Sequence, residues 1–235
     1  MFLRNDDKNL LDLYRSIYRE SWEGQETETP IEPQQKKPEV VGGIKKSALT
    51  EEQFIPIRAK LLKAKLIVKQ KSSSSWYILE NMKLVLHEDP KLGTMAVDNL
   101  GNIYINIHFL MVELDLDETA GVLAHEACHI KNRTFSRQRG RQGKLWNYAT
   151  DYAMNLALLT AGFKLPKMGL IPVLVDGRYH IINQKAGWNI DIHDSTAEQI
   201  YHDLWVSIMK KAQEKAEEQE KNKEKNKDKN KEKSK

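Results

Sequence analysis

The residues best suited to chemistry lie in the segment GVLAHEACHIKN. There His125, Glu126 and His129 spell H-E-x-x-H. On a helix, residues four apart share a face, so both imidazoles can point at one ion. Glu126 follows His125 directly and can reach a water held at that ion. Zinc suits such a set, because it takes nitrogen and oxygen ligands in tetrahedral geometry and lowers the pKa of bound water to about 7. The neighbours Val122, Leu123, Ala124, Ala127, Cys128 and Ile130 are apolar or small, so this helix is expected to be largely buried. Two imidazoles and a carboxylate there are costly without a partner. The plain alternative is a pair of surface histidines on an ordinary helix, and the apolar neighbours weigh against it. Cys128 lies about a quarter-turn off the histidine face and reads as a small core residue, not a ligand.

Zinc held by three protein groups needs one more. The segment LWNYATDYAMNLALLTA is apolar nearly all round and reads as a buried helix. Its polar exceptions, Asn147, Asp151 and Asn155, fall at i, i+4 and i+8 and form one stripe. An unpaired buried carboxylate is expensive, and a cation offsets that cost. Asp151 is therefore expected as the third ligand, with Asn147 and Asn155 steadying a carboxylate or an imidazole by hydrogen bonds. A stripe that merely caps a neighbouring loop is the alternative. His87, His108, His180, His193 and His202 read as surface or packed histidines.

These residues need elements to position them. Residues 2–22 have Leu10, Leu11, Tyr14, Ile17, Tyr18 and Trp22 at helical spacing. Residues 23–47 hold three of the seven prolines and read as a linker. The body is expected over 48–208, long enough for one domain with a sizeable core. Within it, Glu51–Val68 reads as a helix and KQKSSSS as a breaker, while Trp76–Leu86 is ambiguous. Thr94–Val97 and Ile103–Ile107 flank DNLGN as a hairpin. Asp115–Ile130 reads as a helix, opened by Asp115 and Glu118 as an acidic capping box. Residues 131–144 read as a loop, Leu145–Thr160 as a second helix, and Ile171–Val175 with Tyr179–Ile182 as a hairpin around Asp176-Gly177. Thr196–Met209 is expected to close the body as a helix. From 209 onward the lysine-rich sequence has little to bury and reads as a disordered tail or frayed helical extension.

Composition excludes several classes. Of 235 residues 40% are hydrophobic and 30% charged. No run approaches the roughly 18 apolar residues of a membrane span. The start, MFLRNDDKNLL, has acids where a secretion signal needs positive charge and then an apolar stretch. The single cysteine excludes an internal disulfide and a multi-cysteine zinc site, and the expected compartment is the cytoplasm. The net charge of +4 resides in residues 210–235, with 11 lysines and 7 acids, and the remainder is balanced. Overall basicity therefore gives no case for nucleic-acid binding.

With TMAVDNLGNIYIN at 94–106, LAHEACH at 123–129, WNYATDYAMN at 146–155 and AEQIY at 197–201, the sequence resembles a family of zincin-type metallopeptidase domains. That family combines HExxH with WNxAxDxxxN and in bacteria often accompanies a von Willebrand A-like domain. This sequence carries a lysine-rich tail instead. The resemblance covers roughly residues 55–208. It implies an α+β, zincin-like fold: a small sheet, an active-site helix and a second helix bearing a metal ligand. It implies zinc held by His125, His129 and Asp151, with Glu126 as catalytic base. It also gives Ile103–Ile107 the place of an edge strand on which an extended peptide pairs.

The expected function is a zinc-dependent peptidase acting on a protein or peptide. A zinc-activated water, deprotonated by Glu126, attacks the carbonyl, and Glu126 passes the proton to the leaving amine. A different class is a non-catalytic, zinc-stabilised interaction module whose N-terminal helix and tail dock protein partners. Glu126 favours the enzyme, since a purely structural site has no use for a base there. A nucleic-acid binder would use the tail and the loop 131–144, which has six basic residues and no acid. Acids interleaved with the tail lysines argue against that reading. The loop itself reads either as an attractor of acidic substrate or as a solvated segment balanced by acids elsewhere. No membrane partner is expected.

Overall fold

Thr50 sets where the first helix starts. Its hydroxyl accepts from the Gln53 N–H, and the Gln53 side chain accepts from the Thr50 N–H, a capping box that satisfies two orphan donors. The helix, α1 (Glu51–Lys71), buries Phe54, Ile57, Leu61, Ala64 and Val68. Ser72 ends it with an N–H bond to the Val68 carbonyl and caps the next helix, α2 (Ser73–Glu80). The serine run is thus a helix-to-helix junction, and the ambiguous segment divides into α2 and strand β3 (Lys83–His87). The computed structural model describes residues 40–41, 44–45, 49–88, 92–184 and 186–232. The expected helix over 2–22 lies outside the described residues.

The larger sheet has the order β1-β2-β3-β5-β4. Strands β1 (Val40–Val41) and β2 (Ile44–Lys45) form a short antiparallel pair, with β2 parallel to β3. Both fall in the segment expected as a linker, where β-branched Val40, Val41 and Ile44 favour extended pairing. β4 (Met95–Val97) and β5 (Asn102–Asn106) form the expected hairpin. Asp98 tightens it by accepting from the Leu100 and Asn102 N–H groups. β5 is not the edge strand. It is parallel to β3 on one side and antiparallel to β4 on the other, with Ile103 and Ile105 fully buried. The edge on this side of the sheet is β4.

After a π-helical turn (Phe109–Glu113) come α3 (Leu116–Lys131), the short α4 (Thr134–Arg137) within the expected loop, and α5 (Gly143–Thr160). β6 (Val173–Val175) and β7 (Arg178–Asn183) make the second hairpin. Its Asp176-Gly177 turn has φ of 47° and 78°, the left-handed pair that such a dipeptide accommodates. β8 (Trp188–Asp191), which sequence reading missed, completes a three-stranded sheet.

The closing helix α6 runs from Ala197 to Glu232, far beyond the expected Met209. Ala, Glu, Lys and Gln are strong helix formers, and burial continues past the expected boundary to Ala212. The segment from 209, which reads as a disordered tail or a frayed helical extension, is helical to Glu232.

Among the described residues two hydrophobic clusters result. The first joins α1, α2, the large sheet and α3 to Met154, Leu158 and Phe163. The second joins Leu145, Tyr148, Ala149 and Tyr152 to Ile181, Trp188 and Ile192, and to Ile200, Leu204, Ile208 and Ala212 of α6. Helix α5 is the wall between them. The architecture is mixed α+β. Among the described residues no helix is long and apolar enough to cross a membrane.

Candidate metal centre

Helix α3 begins as its sequence requires. The Asp115 carboxylate accepts from the Glu118 N–H, and the Glu118 carboxylate accepts from the Asp115 N–H. Lys164 pairs with both acids. One turn before the first motif histidine, Gly121 lets the chain at Lys164 come close, since a Cβ there would stand 2.0 Å from the Lys164 carbonyl oxygen. Ala120, Ala124 and Ala127 are fully buried, so small side chains seat this helix in the first core. Cys128 is buried too, its Sγ 3.8 Å from Ser75 Oγ of α2, and it takes no part in the cluster.

The histidines meet Asp151 of α5. His125 Nε2 and His129 Nε2 are 3.1 Å apart, and Asp151 Oδ1 lies 3.6 Å from the first and 3.4 Å from the second. Among the described residues, these three are the one His/Cys/Asp/Glu group whose ligand atoms converge, all within 4.8 Å. Tetrahedral ligands about 2.0–2.1 Å from zinc stand about 3.3–3.4 Å from each other, so the triangle already has the right size.

Hydrogen bonding fixes the protons. Asn155 donates from Nδ2 to the Leu170 carbonyl and turns Oδ1 to His125 Nδ1 at 2.8 Å. That oxygen can only accept, so Nδ1 of His125 carries the hydrogen. The Thr134 hydroxyl donates to the His129 carbonyl at 3.3 Å and faces His129 Nδ1 at 3.1 Å. Its single hydrogen being used, it accepts from Nδ1 of His129. Both neutral rings therefore aim a bare Nε2 lone pair at the centre. Asp151 Oδ2 accepts from Asn147 Nδ2 at 3.3 Å, while Oδ1 is buried with no hydrogen-bond partner. Three acceptors facing one another with no donor between them suit a cation and little else.

Burial works in the same direction. It lowers the pKa of His125 to about 4, against the Asn155 hydrogen bond. It holds His129 well below the histidine range, helped by His125. Both rings are thus neutral, the form that ligates metal. Burial also pushes Asp151 well above the carboxylate range. Glu126, 5% exposed, is raised by burial and then by Asp151, while a bond from the Val97 backbone N–H acts against the rise. Tyr148 and Tyr152 beside Asp151 are pushed up to about 12, mainly by burial. A divalent cation reverses this logic for the carboxyls, because its charge outweighs the desolvation.

The structure therefore brings together His125, His129 and Asp151, with Glu126 alongside, Asn147 on the carboxylate and Asn155 on an imidazole. It does not bring the other histidines there. His87 packs on Tyr104, His108 faces Glu113, His180 bonds Asn189, and His193 stacks on Tyr179. His202 is exposed on α6. Sequence reading missed Thr134 and Trp146, whose indole N–H bonds the Thr134 carbonyl at 2.8 Å. The one available signal was a hydroxyl residue five positions after His129. The basic loop is partly consumed by the fold. Arg137 makes a two-pronged pair with Glu198 at 2.6 and 3.1 Å, Arg141 lies over the Trp146 and Tyr201 rings, and Lys131 bonds Ser74.

A family model described as "Putative metallopeptidase domain" matches residues 58–235. No curated protein and no solved structure matches the chain.

Proposed function

The chain belongs to this family of metallopeptidase domains, and on that premise we propose that it is a zinc-dependent peptidase of zincin-like architecture. His125, His129 and Asp151 hold the metal and Glu126 is the general base. The observation that carries the reading is the buried triangle of three acceptor atoms, one of them with no hydrogen-bond partner. Two neutral imidazoles and one carboxylate make a nitrogen and oxygen set that zinc accepts with a fourth position left open. A bound zinc ion supplies Lewis acidity and lowers the pKa of water.

The chain's own groups do the rest. Glu126 takes the proton of the attacking water and delivers it to the nitrogen of the leaving amine. The Val97 N–H, on edge strand β4, holds the Glu126 carboxylate. A peptide that pairs with β4 by β-augmentation runs past Glu126, so a protein or peptide segment in extended form is the substrate.

Metal analysis of the purified chain and a broad peptide-library digest test this together. Glu126→Gln keeps size and hydrogen bonding but removes basicity. Zinc content should stay the same while cleavage falls roughly 10²–10⁴-fold. Undiminished cleavage by that variant assigns the activity elsewhere. A zinc-loaded wild type that cleaves nothing in the library turns the reading to a non-catalytic, zinc-stabilised interaction module.

A further inference from the structure

The chain between the motif helix and α5 has little reason of its own to hold a shape. Helix α4 is four residues long, too short to stand alone. It opens at Arg133, whose φ of 51° lies in the left-handed region, a costly place for a residue with a Cβ. No side chain among the described residues caps that start. Yet α4 carries Thr134, whose hydroxyl fixes the hydrogen of His129 Nδ1.

Arg137, the last residue of α4, supplies the missing hold. Its Nε and Nη2 donate to the two carboxylate oxygens of Glu198 at 3.1 and 2.6 Å. Its Nη1 donates at 3.0 Å to the carbonyl of Asn132, at the end of α3. One planar fork thus joins the motif helix, α4 and the first turn of α6, and each of its nitrogens is used. Arg137 also holds the Glu198 carboxyl below its ordinary range. Arg141 closes the other side. Its Nη1 donates to the Arg137 carbonyl at 2.7 Å, and its guanidinium lies over the rings of Trp146 and Tyr201, at 4.8 and 5.7 Å. Trp146 in turn donates to the Thr134 carbonyl.

Taking His125, His129 and Asp151 as the metal ligands, as above, we propose that Arg137, clamped by Glu198, is a positioning residue of the centre. It acts through Thr134, keeping the His129 hydrogen on Nδ1 and the Nε2 lone pair turned to the metal. The plain alternative is a surface ion pair, since both side chains are 37% exposed and such pairs add little stability. The third bond sets this pair apart. The guanidinium that grips Glu198 also grips the carbonyl three residues after His129, so α6 and the motif helix are fixed against α4 by one rigid group. Lysine cannot make those three bonds at once.

Two variants of the full-length chain test the proposal. Arg137→Lys keeps the charge and loses the fork, and Glu198→Gln keeps the shape and loses the charge. Chelator competition should find zinc affinity lowered about threefold to tenfold in each, a part of what removal of the Thr134 acceptor itself costs. In a Thr134→Val background neither change should lower affinity further, because the contact they act through is already gone. Nitrogen chemical shifts of His129 in the metal-free chain give a second readout. Wild type should carry the hydrogen on Nδ1, and both variants should move part of the population to Nε2. The shifts need no metal, so they decide the positioning role even if the chain takes up no zinc. Measured well below the melting temperature, a loss of stability alone moves neither readout. Unchanged affinity and shifts in both variants would overturn the proposal, as would equal losses with and without the Thr134 hydroxyl.

Discussion

Thr134 offers a sharp test of how the centre is built. The residue is 4% exposed, and its hydroxyl is placed to receive the His129 Nδ1 hydrogen at 3.1 Å while donating to the His129 carbonyl. Thr134→Val keeps the shape and removes that acceptor. In the metal-free protein, His129 has an escape. It can move its hydrogen to Nε2 and offer it to Asp151 Oδ1, 3.4 Å away. In the metal-bound protein Nε2 is a ligand, the hydrogen must stay on Nδ1, and it is left buried without a partner. That penalty is about 1–3 kcal/mol. Because it falls on the bound state, it appears as a loss of metal affinity of about 10–100-fold, at 1.4 kcal/mol per tenfold. Thr134→Ser restores the hydroxyl and should remain within about threefold of wild type, well under 1 kcal/mol. Competition with a chromogenic chelator at neutral pH measures both variants without any assay of activity. Unchanged affinity in Thr134→Val, or equal losses in the valine and serine variants, would refute the proton assignment.

Asp151→Asn removes the ligand charge but not the shape, and metal content after dialysis should fall sharply; full occupancy in that variant would reject the triangle as the site. Metal binding needs an ionised Asp151, whose pKa burial raises, so affinity should climb with pH until that raised value is passed. His125, lowered to about 4, adds nothing to this climb once the pH is above its own range. Affinity that does not rise as the pH is taken upward from the ordinary carboxylate range, about 4, would contradict the assignment. In the metal-free fold the raised carboxyls of Asp151 and Glu126 also lower stability as pH rises from about 4 towards their folded values. Gly121→Ala drives a Cβ into the Lys164 carbonyl and should cost about 1–3 kcal/mol, more than the roughly 1 kcal/mol of helix propensity it gains. Denaturant titration that finds a more stable variant would sink that account. A chain ending at 216 should keep its melting temperature, whereas one ending at 203 loses Leu204, Ile208 and Ala212 of the second core; equal melting of the two would contradict the packing.

Much of the centre was legible in the sequence because its spacing is local. His125 and His129 are one turn apart, Asn147, Asp151 and Asn155 are one turn apart in succession, and the Asp115–Glu118 box lies within four residues. The two hairpins were marked by Asp98, Gly101 and Asp176-Gly177, whose turn chemistry is also local. What escaped depends on distant pairing. Nothing in Ile103–Ile107 says that β3 pairs alongside it, and that pairing moves the edge to β4. Thr134 reaches His129 because the chain reverses at Arg133, which adopts a left-handed φ of 51°, a conformation no residue pattern there announces. The continuation of α6 was hidden for a different reason. A lysine- and glutamate-rich stretch has high helix propensity but nothing to bury, and composition alone does not say which property decides.

Helix α5 carries the carboxylate on a wall between two cores, and this governs when the centre comes into being. The motif helix belongs to the first core, which the chain largely completes by residue 131. Asp151 is held by a helix whose other face needs Ile200, Leu204 and Ile208, side chains made some fifty residues later. During synthesis the two histidines are therefore ready before their carboxylate is fixed. A chain cut short before α6 therefore carries the motif but lacks Ile200, Leu204 and Ile208, which back the helix that holds Asp151.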